Sequence, residues 1–277
     1  MEVFGLEVLE IVGRLLLGLA IGFCIGLTGV GGGVLVLPAL TLLLRMNAVM
    51  AVGTASLYAF LTKVSATFHH AKEKTIDWTL SLLFLAGAVP VNFVVARWIA
   101  GQGANEEFAH ALKIFITGMV FFCVAVMIFN LVSQIRNHKA GGSKAQLADH
   151  IAKKPVLRRV LGVLMGGVVG ALIGATSIGG GVLIVPMLMI LFGLRARQTV
   201  GSSIFIAVVL TLLTSLVYAG GGELDKATAI VMAIGSLVGV PFGVKLSVKM
   251  PEKTLQIIVI GIILLAAVLM LFGGGGH

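Results

Sequence analysis

Two short stretches, GLTGVGGGVLVLPAL from Gly26 and GATSIGGGVLIVPML from Gly174, set hydroxyls beside glycines inside apolar sequence. Thr28 stands before or among Gly29, Gly31, Gly32 and Gly33, and Thr176 and Ser177 stand before Gly179, Gly180 and Gly181. Glycine opens backbone angles closed to other residues and lets a ligand approach the main chain. A helix that restarts after such a break bares unpaired N–H groups and the positive end of its dipole. Hydrocarbon offers those donors no acceptor, whereas an anion or a water-filled cavity does. The chemistry suggested is capture of a small anion by main-chain amides, with Thr28, Thr176 and Ser177 as further donors. Close helix packing is the other use of glycine in membranes and stays open at this stage. A phosphate loop does not fit, because no GKS or GKT follows and no strand precedes.

Further polar residues follow at matched places. Thr54, Ser202 and Ser203 come just after Gly53 and Gly201, where hydroxyls serve as helix caps or as ligands. Lys63 is set among Ala59, Phe60, Leu61 and Val64, a costly place for an ammonium unless it faces a cavity or snorkels. It is expected to attract a negatively charged substrate, and Thr211 at the matched position makes that role one-sided. His69 and His70 read as a loop pair. Arg97 and Lys113 read as interfacial anchors, and Cys24 and Cys123 as core packing. No Ser/His/Asp or Cys/His set, no HExxH and no carboxylate pair lies inside the apolar runs, so catalytic residues, metal ligands and cofactors are expected to be none. A proton relay through a buried carboxylate has no support either.

The elements that position these residues follow from composition. Of 277 residues, 58% are hydrophobic and 11% charged, and the mean hydropathy is +1.12. An ordinary soluble domain is about a quarter charged, so lipid is the expected solvent for most of this surface. No alternating pattern suggests a β-barrel. The formal charge of +9 lies largely in short connections, where Lys and Arg set topology, and does not indicate nucleic acid. No signal peptide is expected at the start, and GGGGH at the end is assigned no role. Apolar segments are expected at 11–28, 33–44, 48–68, 78–99, 108–132, 159–177, 182–193, 198–219, 227–247 and 254–272. The segments 33–44 and 182–193 are too short to span about 30 Å of hydrocarbon and read as half-helices.

Laying residues 174–201 on 26–53, so that Gly26 meets Gly174 at a shift of 148, gives 13 identities in 28 positions. Gly18/Gly166, Gly22/Gly170 and Gly87/Gly235 keep that shift. The chain is therefore read as a duplication: a first transmembrane repeat over 1–132, a basic cytoplasmic linker over 133–158 and a second repeat over 159–277. Two topologies are compatible with this duplication. If each broken segment makes one tilted crossing, the repeats run parallel, and Arg195, Arg197, Lys249 and Lys253 fall outside. If each is a hairpin, the repeats are inverted, and those residues fall inside with His69–Lys72. The second obeys the positive-inside rule better, with Arg45 as its exception. The expectation is an all-α polytopic membrane protein of two inverted-topology repeats, each with a glycine-broken hairpin helix and about three full transmembrane helices.

The twin G-x-T-G/S-x-G-G-G-hydrophobic-P segments, each followed by a V-G-T/S-S/A helix, resemble the TauE/SafE sulfite exporter family. The resemblance covers nearly the whole chain. It implies a secondary transporter, an exporter of sulfite or an organosulfonate across the cytoplasmic membrane of a prokaryote. It also implies a link to the proton gradient. Carried over, the family's motifs fall on Thr28–Gly33 and Thr176–Gly181, with Thr54, Ser202 and Ser203 beside them. The expected partners are a small anionic substrate and the lipid bilayer, with no nucleic acid, and a homodimer is open. The rival readings are an anion channel or a carrier of another small anion. A soft-metal carrier is disfavoured, since few His, Cys or Met surround the breaks.

Overall fold

The computed structural model describes residues 2–3, 6–28, 33–136, 155–178 and 181–247, and most of 257–270. The chain runs α1 (Val8–Thr28), α2 (Gly33–Leu42), α3 (Ala48–Lys72), α4 (Trp78–Ala100), α5 (Glu106–Arg136), α6 (Pro155–Thr176), α7 (Ile184–Phe192), α8 (Ala196–Gly220) and α9 (Lys226–Ser247). The described positions from 257 to 270 are helical too. A small pairing that the sequence did not announce, Glu2–Val3 against Leu6–Glu7, precedes α1.

Among the described residues, seven helices are long and apolar enough to cross a membrane. Their outward faces carry Leu16, Val94, Trp98, Ile114, Phe122, Leu164, Leu216, Leu237 and Phe242, all exposed. That dress is unfavourable against water and suits hydrocarbon. The two segments after the glycine stretches are short helices, as expected. At 10 and 9 residues they are shorter than the twelve read from the sequence. α2 is buried from Gly33 to Thr41, so it is shielded by protein on all sides. α5 continues to Arg136, and α6 begins at Pro155, so helix extends into both ends of the expected linker. Residues 137–154 of that linker lie outside the described residues.

Aspartates start two of the spans. Asp77 accepts the Leu80 amide at 3.0 Å, and Asp225 accepts the Thr228 amide at 2.9 Å, each holding one of the otherwise unpaired first-turn donors.

Glycine decides how the spans pack. Gly18, Gly22 and Gly26 of α1 lie against Met232, Ser236 and Val240 of α9 so closely that a Cβ on any of them would overlap the partner's backbone. Both series advance by four, so α1 and α9 run parallel. Gly166, Gly170 and Gly174 of α6 meet Phe84, Ala88 and Asn92 of α4 in the same way. The second set is the first with 148 added on one side and subtracted on the other. Small residues at every fourth position allow such backbone approach, and dispersion then replaces lipid contacts. Each repeat thus lends its first helix to the fourth helix of the other. Between these pairs, α3 and α8 pack antiparallel: Gly53 near the start of α3 sits on Tyr218 in the last turn of α8 and on Glu223 just past it, and Gly201 near the start of α8 sits on Thr75 just past α3.

Candidate functional site

The two glycine stretches meet. Gly33, the first residue of α2, rests on the backbone of Ser177 and Ile178, and a Cβ there would overlap the Ser177 carbonyl oxygen. α6 ends just before that contact. The Thr176 hydroxyl donates to the Leu172 carbonyl at 2.7 Å and accepts the Ile178 amide at 3.2 Å, which turns the chain out of helix. Ser177 takes a left-handed conformation with φ of 52°, sparse territory for a residue with a side chain. Its hydroxyl is buried and has no hydrogen-bond partner. Strain and an orphaned donor at one residue are features that cluster at ligand sites. Gly181 follows in a turn, and α7 starts at Ile184 with no side-chain cap; the Val185 amide donates to the Gly181 carbonyl at 3.4 Å, and Pro186 has no N–H to satisfy.

Several expected site residues fall outside the described residues: Gly29, Gly31, Gly32, Gly179 and Gly180. Thr28 closes α1, and its side chain is likewise outside them. Ser203 is buried and donates to the Val200 carbonyl at 2.9 Å. Thr54 and Ser202 are buried and engaged. The Asp225 amide donates to Thr54 Oγ1 at 3.1 Å, and the Asp77 amide donates to Ser202 Oγ at 2.9 Å. These two bonds are related by the 148-residue shift. Asp77 opens α4, whereas Asp225 neighbours Glu223, whose side chain lies against Gly103 just past the end of α4. Thr54 and Ser202 therefore lie toward opposite ends of a 23-residue helix, about 34 Å at helical rise, and do not share one contact. Lys63 is half-buried on α3, and no carboxylate pairs with it among the described residues.

Beneath the second break, a polar group joins three helices. Asn92 donates to the Gly170 carbonyl at 3.0 Å and accepts from Thr214 at 3.1 Å, while the Tyr218 hydroxyl donates to the Gly174 carbonyl at 3.0 Å. This group is fully buried and its side chains are hydrogen-bonded, so it fixes where α6 ends. Between α1, α3 and α9, Tyr58 and Ser236 are also fully buried, but their hydroxyls have no hydrogen-bond partner. Sequence reasoning passed over both. The signal was present: Ser236 adjoins Gly235 in the packing stripe, and Tyr58 is one of only two tyrosines in the chain.

At one end of the bundle, Arg14 pairs with Asp225 at 3.9 Å and Glu10 at 3.8 Å, and Asn47 donates to the Gly103 carbonyl at 3.2 Å. Glu223 lies in the same region, and burial pushes its carboxyl above the usual range. At the other end, His70 Nδ1 and Thr75 Oγ1 are 2.9 Å apart beside Gly201. Among the described residues, no group of three His, Cys, Asp or Glu side chains is placed to hold a metal ion.

A family model described as "Sulfite exporter TauE/SafE" matches residues 14–270. The probable membrane transporter protein YjnA of Bacillus subtilis is 33% identical over 257 residues, which cover 91% of this chain and 96% of that protein. YunE of the same organism, also named a probable membrane transporter protein, is 26% identical over 268 residues, covering 93% and 96%. A probable membrane transporter protein of Methanocaldococcus jannaschii is 26% identical over 282 residues, covering 93% and 94%. No solved structure matches the chain.

Proposed function

This chain belongs to the sulfite exporter TauE/SafE family of membrane transporters, and we propose that it is a secondary carrier, acting as an exporter, of a small sulfur-containing anion such as sulfite or an organosulfonate. The anion is held where the two glycine breaks adjoin. Main-chain amides of Gly29–Gly33 and Gly179–Gly181 and the hydroxyls of Thr28 and Ser177 donate to it, Thr176 shapes the turn that frames it, and Lys63 draws it in. Thr54, Ser202 and Ser203 support the helices that frame it.

The observation that carries this reading is the seat of Gly33 on Ser177, with the Ser177 hydroxyl buried and unpaired at the junction. An orphaned buried hydroxyl costs about 1–3 kcal/mol, and an oxyanion would remove that cost.

The repeats are inverted in this reading. Support comes from packing directions: α1 runs with α9, α6 runs with α4, and α3 runs against α8. Since α3 leads into α4, the first helix of one repeat then starts at the face opposite to the first helix of the other. Each broken segment returns to its own face as a hairpin. Lys and Arg around 69–72 and 195–197 then gather with the basic linker on the cytoplasmic side. The glycine-locked pairs α1/α9 and α4/α6 make two stiff units that rock across α3 and α8 and expose the anion to each face in turn.

The test is a thermal-shift and calorimetric screen of the purified chain with sulfite, sulfoacetate, taurine, sulfate and thiosulfate. Counterflow of the radiolabelled hit in proteoliposomes follows. Binding of one anion with saturable counterflow supports the carrier. Ohmic anion current without counterflow makes the protein a channel, and no binding by any of the five overturns the proposal.

A further inference from the structure

Between α1, α3 and α9 lie two buried hydroxyls that face one another. Tyr58 and Ser236 are each 0% exposed, and neither oxygen has a hydrogen-bond partner. Tyr58 is directed toward Ser236 without closing a bond of good geometry. Gly22 makes the arrangement possible: a Cβ there would stand 2.6 Å from Ser236 Oγ and 2.6 Å from its Cα. Leaving two such donors idle costs about 1–3 kcal/mol each, and phenylalanine and alanine would fill the same space without that cost.

Tyr58 sits level with the start of α2, and Ser236 faces Gly22, about 9 Å at helical rise before the end of α1. α2 and α3 pack together and are joined by five residues, so they are antiparallel neighbours. Gly33 lies nine residues before the end of α2, and Tyr58 ten residues after the start of α3. At 1.5 Å per residue these are about 14 and 15 Å from the same connection. The 148-residue shift puts Ile206 and Ala88 at the matched places, both buried and apolar. The hydroxyls are thus a feature of one side only and do not follow from the duplication.

We propose that Tyr58 and Ser236 are specificity-determining residues that donate hydrogen bonds to oxygen atoms of the oxyanion held at the breaks. This rests on the reading that the breaks bind an anion. Both donors are neutral, so the contact adds direction without adding charge. It favours a guest with several oxygen acceptors over a bare spherical ion.

The full chain in detergent is titrated with sulfite, sulfoacetate and sulfate, followed by thermal shift and calorimetry. Tyr58→Phe and Ser236→Ala are each expected to weaken the binding anion about tenfold, while the unliganded Tm stays level or rises. The double variant is expected to lose less than the product of the two, because both hydroxyls reach one guest. Ile206→Val is expected to leave affinity unchanged. Affinities within twofold of wild type in both single variants overturn the assignment. If Ser177→Ala weakens binding while Tyr58→Phe and Ser236→Ala do not, the hydroxyl pair fails and the break reading stands. If none of the three anions binds wild type, both fail.

Discussion

The main-chain amide of Asp77 donates to the hydroxyl of Ser202 across 2.9 Å, joining the start of the fourth helix of one repeat to the third helix of the other. Its counterpart joins Asp225 to Thr54. Removing either hydroxyl leaves an amide without its acceptor. Ser202→Ala and Thr54→Val are each expected to lower stability by about 1–2 kcal/mol, read as a drop in Tm of the detergent-solubilised chain. Because the two bonds are equivalent, the two drops should agree in size. A loss confined to one would mean the repeats do not share the load.

The junction of the breaks leads to a sharper expectation. Gly33→Ala drives a methyl into the Ser177 backbone, so α2 must shift away from the second break. Transport in proteoliposomes should fall at least tenfold, with insertion into the membrane retained. Gly32→Val and Gly180→Val should abolish it. Full activity in both would refute the breaks as the site.

The glycine stripes should sort by what they touch. Gly22→Leu and Gly170→Leu force apart the α1/α9 and α4/α6 pairs, and little folded protein should elute as a single species in size exclusion. Gly13 and Gly118 have nothing near the place of a Cβ. Alanine there should be neutral or stabilising by up to about 1 kcal/mol, from helix propensity alone.

Glu223 gives a pH signature. Burial holds its carboxyl above the ordinary range, so the folded chain binds that proton more tightly than the unfolded one. The burden is absent at pH values below the unfolded carboxylate's pKa of about 4.3. It grows as pH rises through the window between the unfolded and folded pKa values, then levels off. Glu223→Gln should therefore raise Tm at pH 7.5 and leave it unchanged at pH 3.5. An equal gain at both would show that ionisation is not the cause.

Much of the architecture was legible because the bilayer punishes ambiguity. Hydrocarbon thickness fixes span length, so apolar runs found the helices, and residues 33–42 stood out by being too short. The duplication was visible because glycine at Gly18, Gly22 and Gly26 recurs as Gly166, Gly170 and Gly174. What those glycines touch was not visible. A stripe of small residues says that something approaches closely, and only the fold says that the partner is the far repeat. Thr54 and Ser202 were singled out for their type and position, and the sequence left open whether they were caps or ligands. Their hydroxyls accept amides from helices in the other repeat, a long-range contact that no local spacing encodes. Tyr58 and Ser236 escaped notice because neither forms a motif. They matter as a pair, and the pair exists only once α3 and α9 lie together.

The exchange of helices between the repeats also bears on how the protein is made. α1 leaves the ribosome well before the helix it fits, which is not begun until residue 226. Through most of translation its glycine face waits in the bilayer without a mate, and the face of α4 around Ala88 waits likewise until α6 arrives. Nascent chains cut short before residue 226 should therefore be the forms that membrane quality-control proteases destroy, while two halves produced separately should rescue one another when co-expressed.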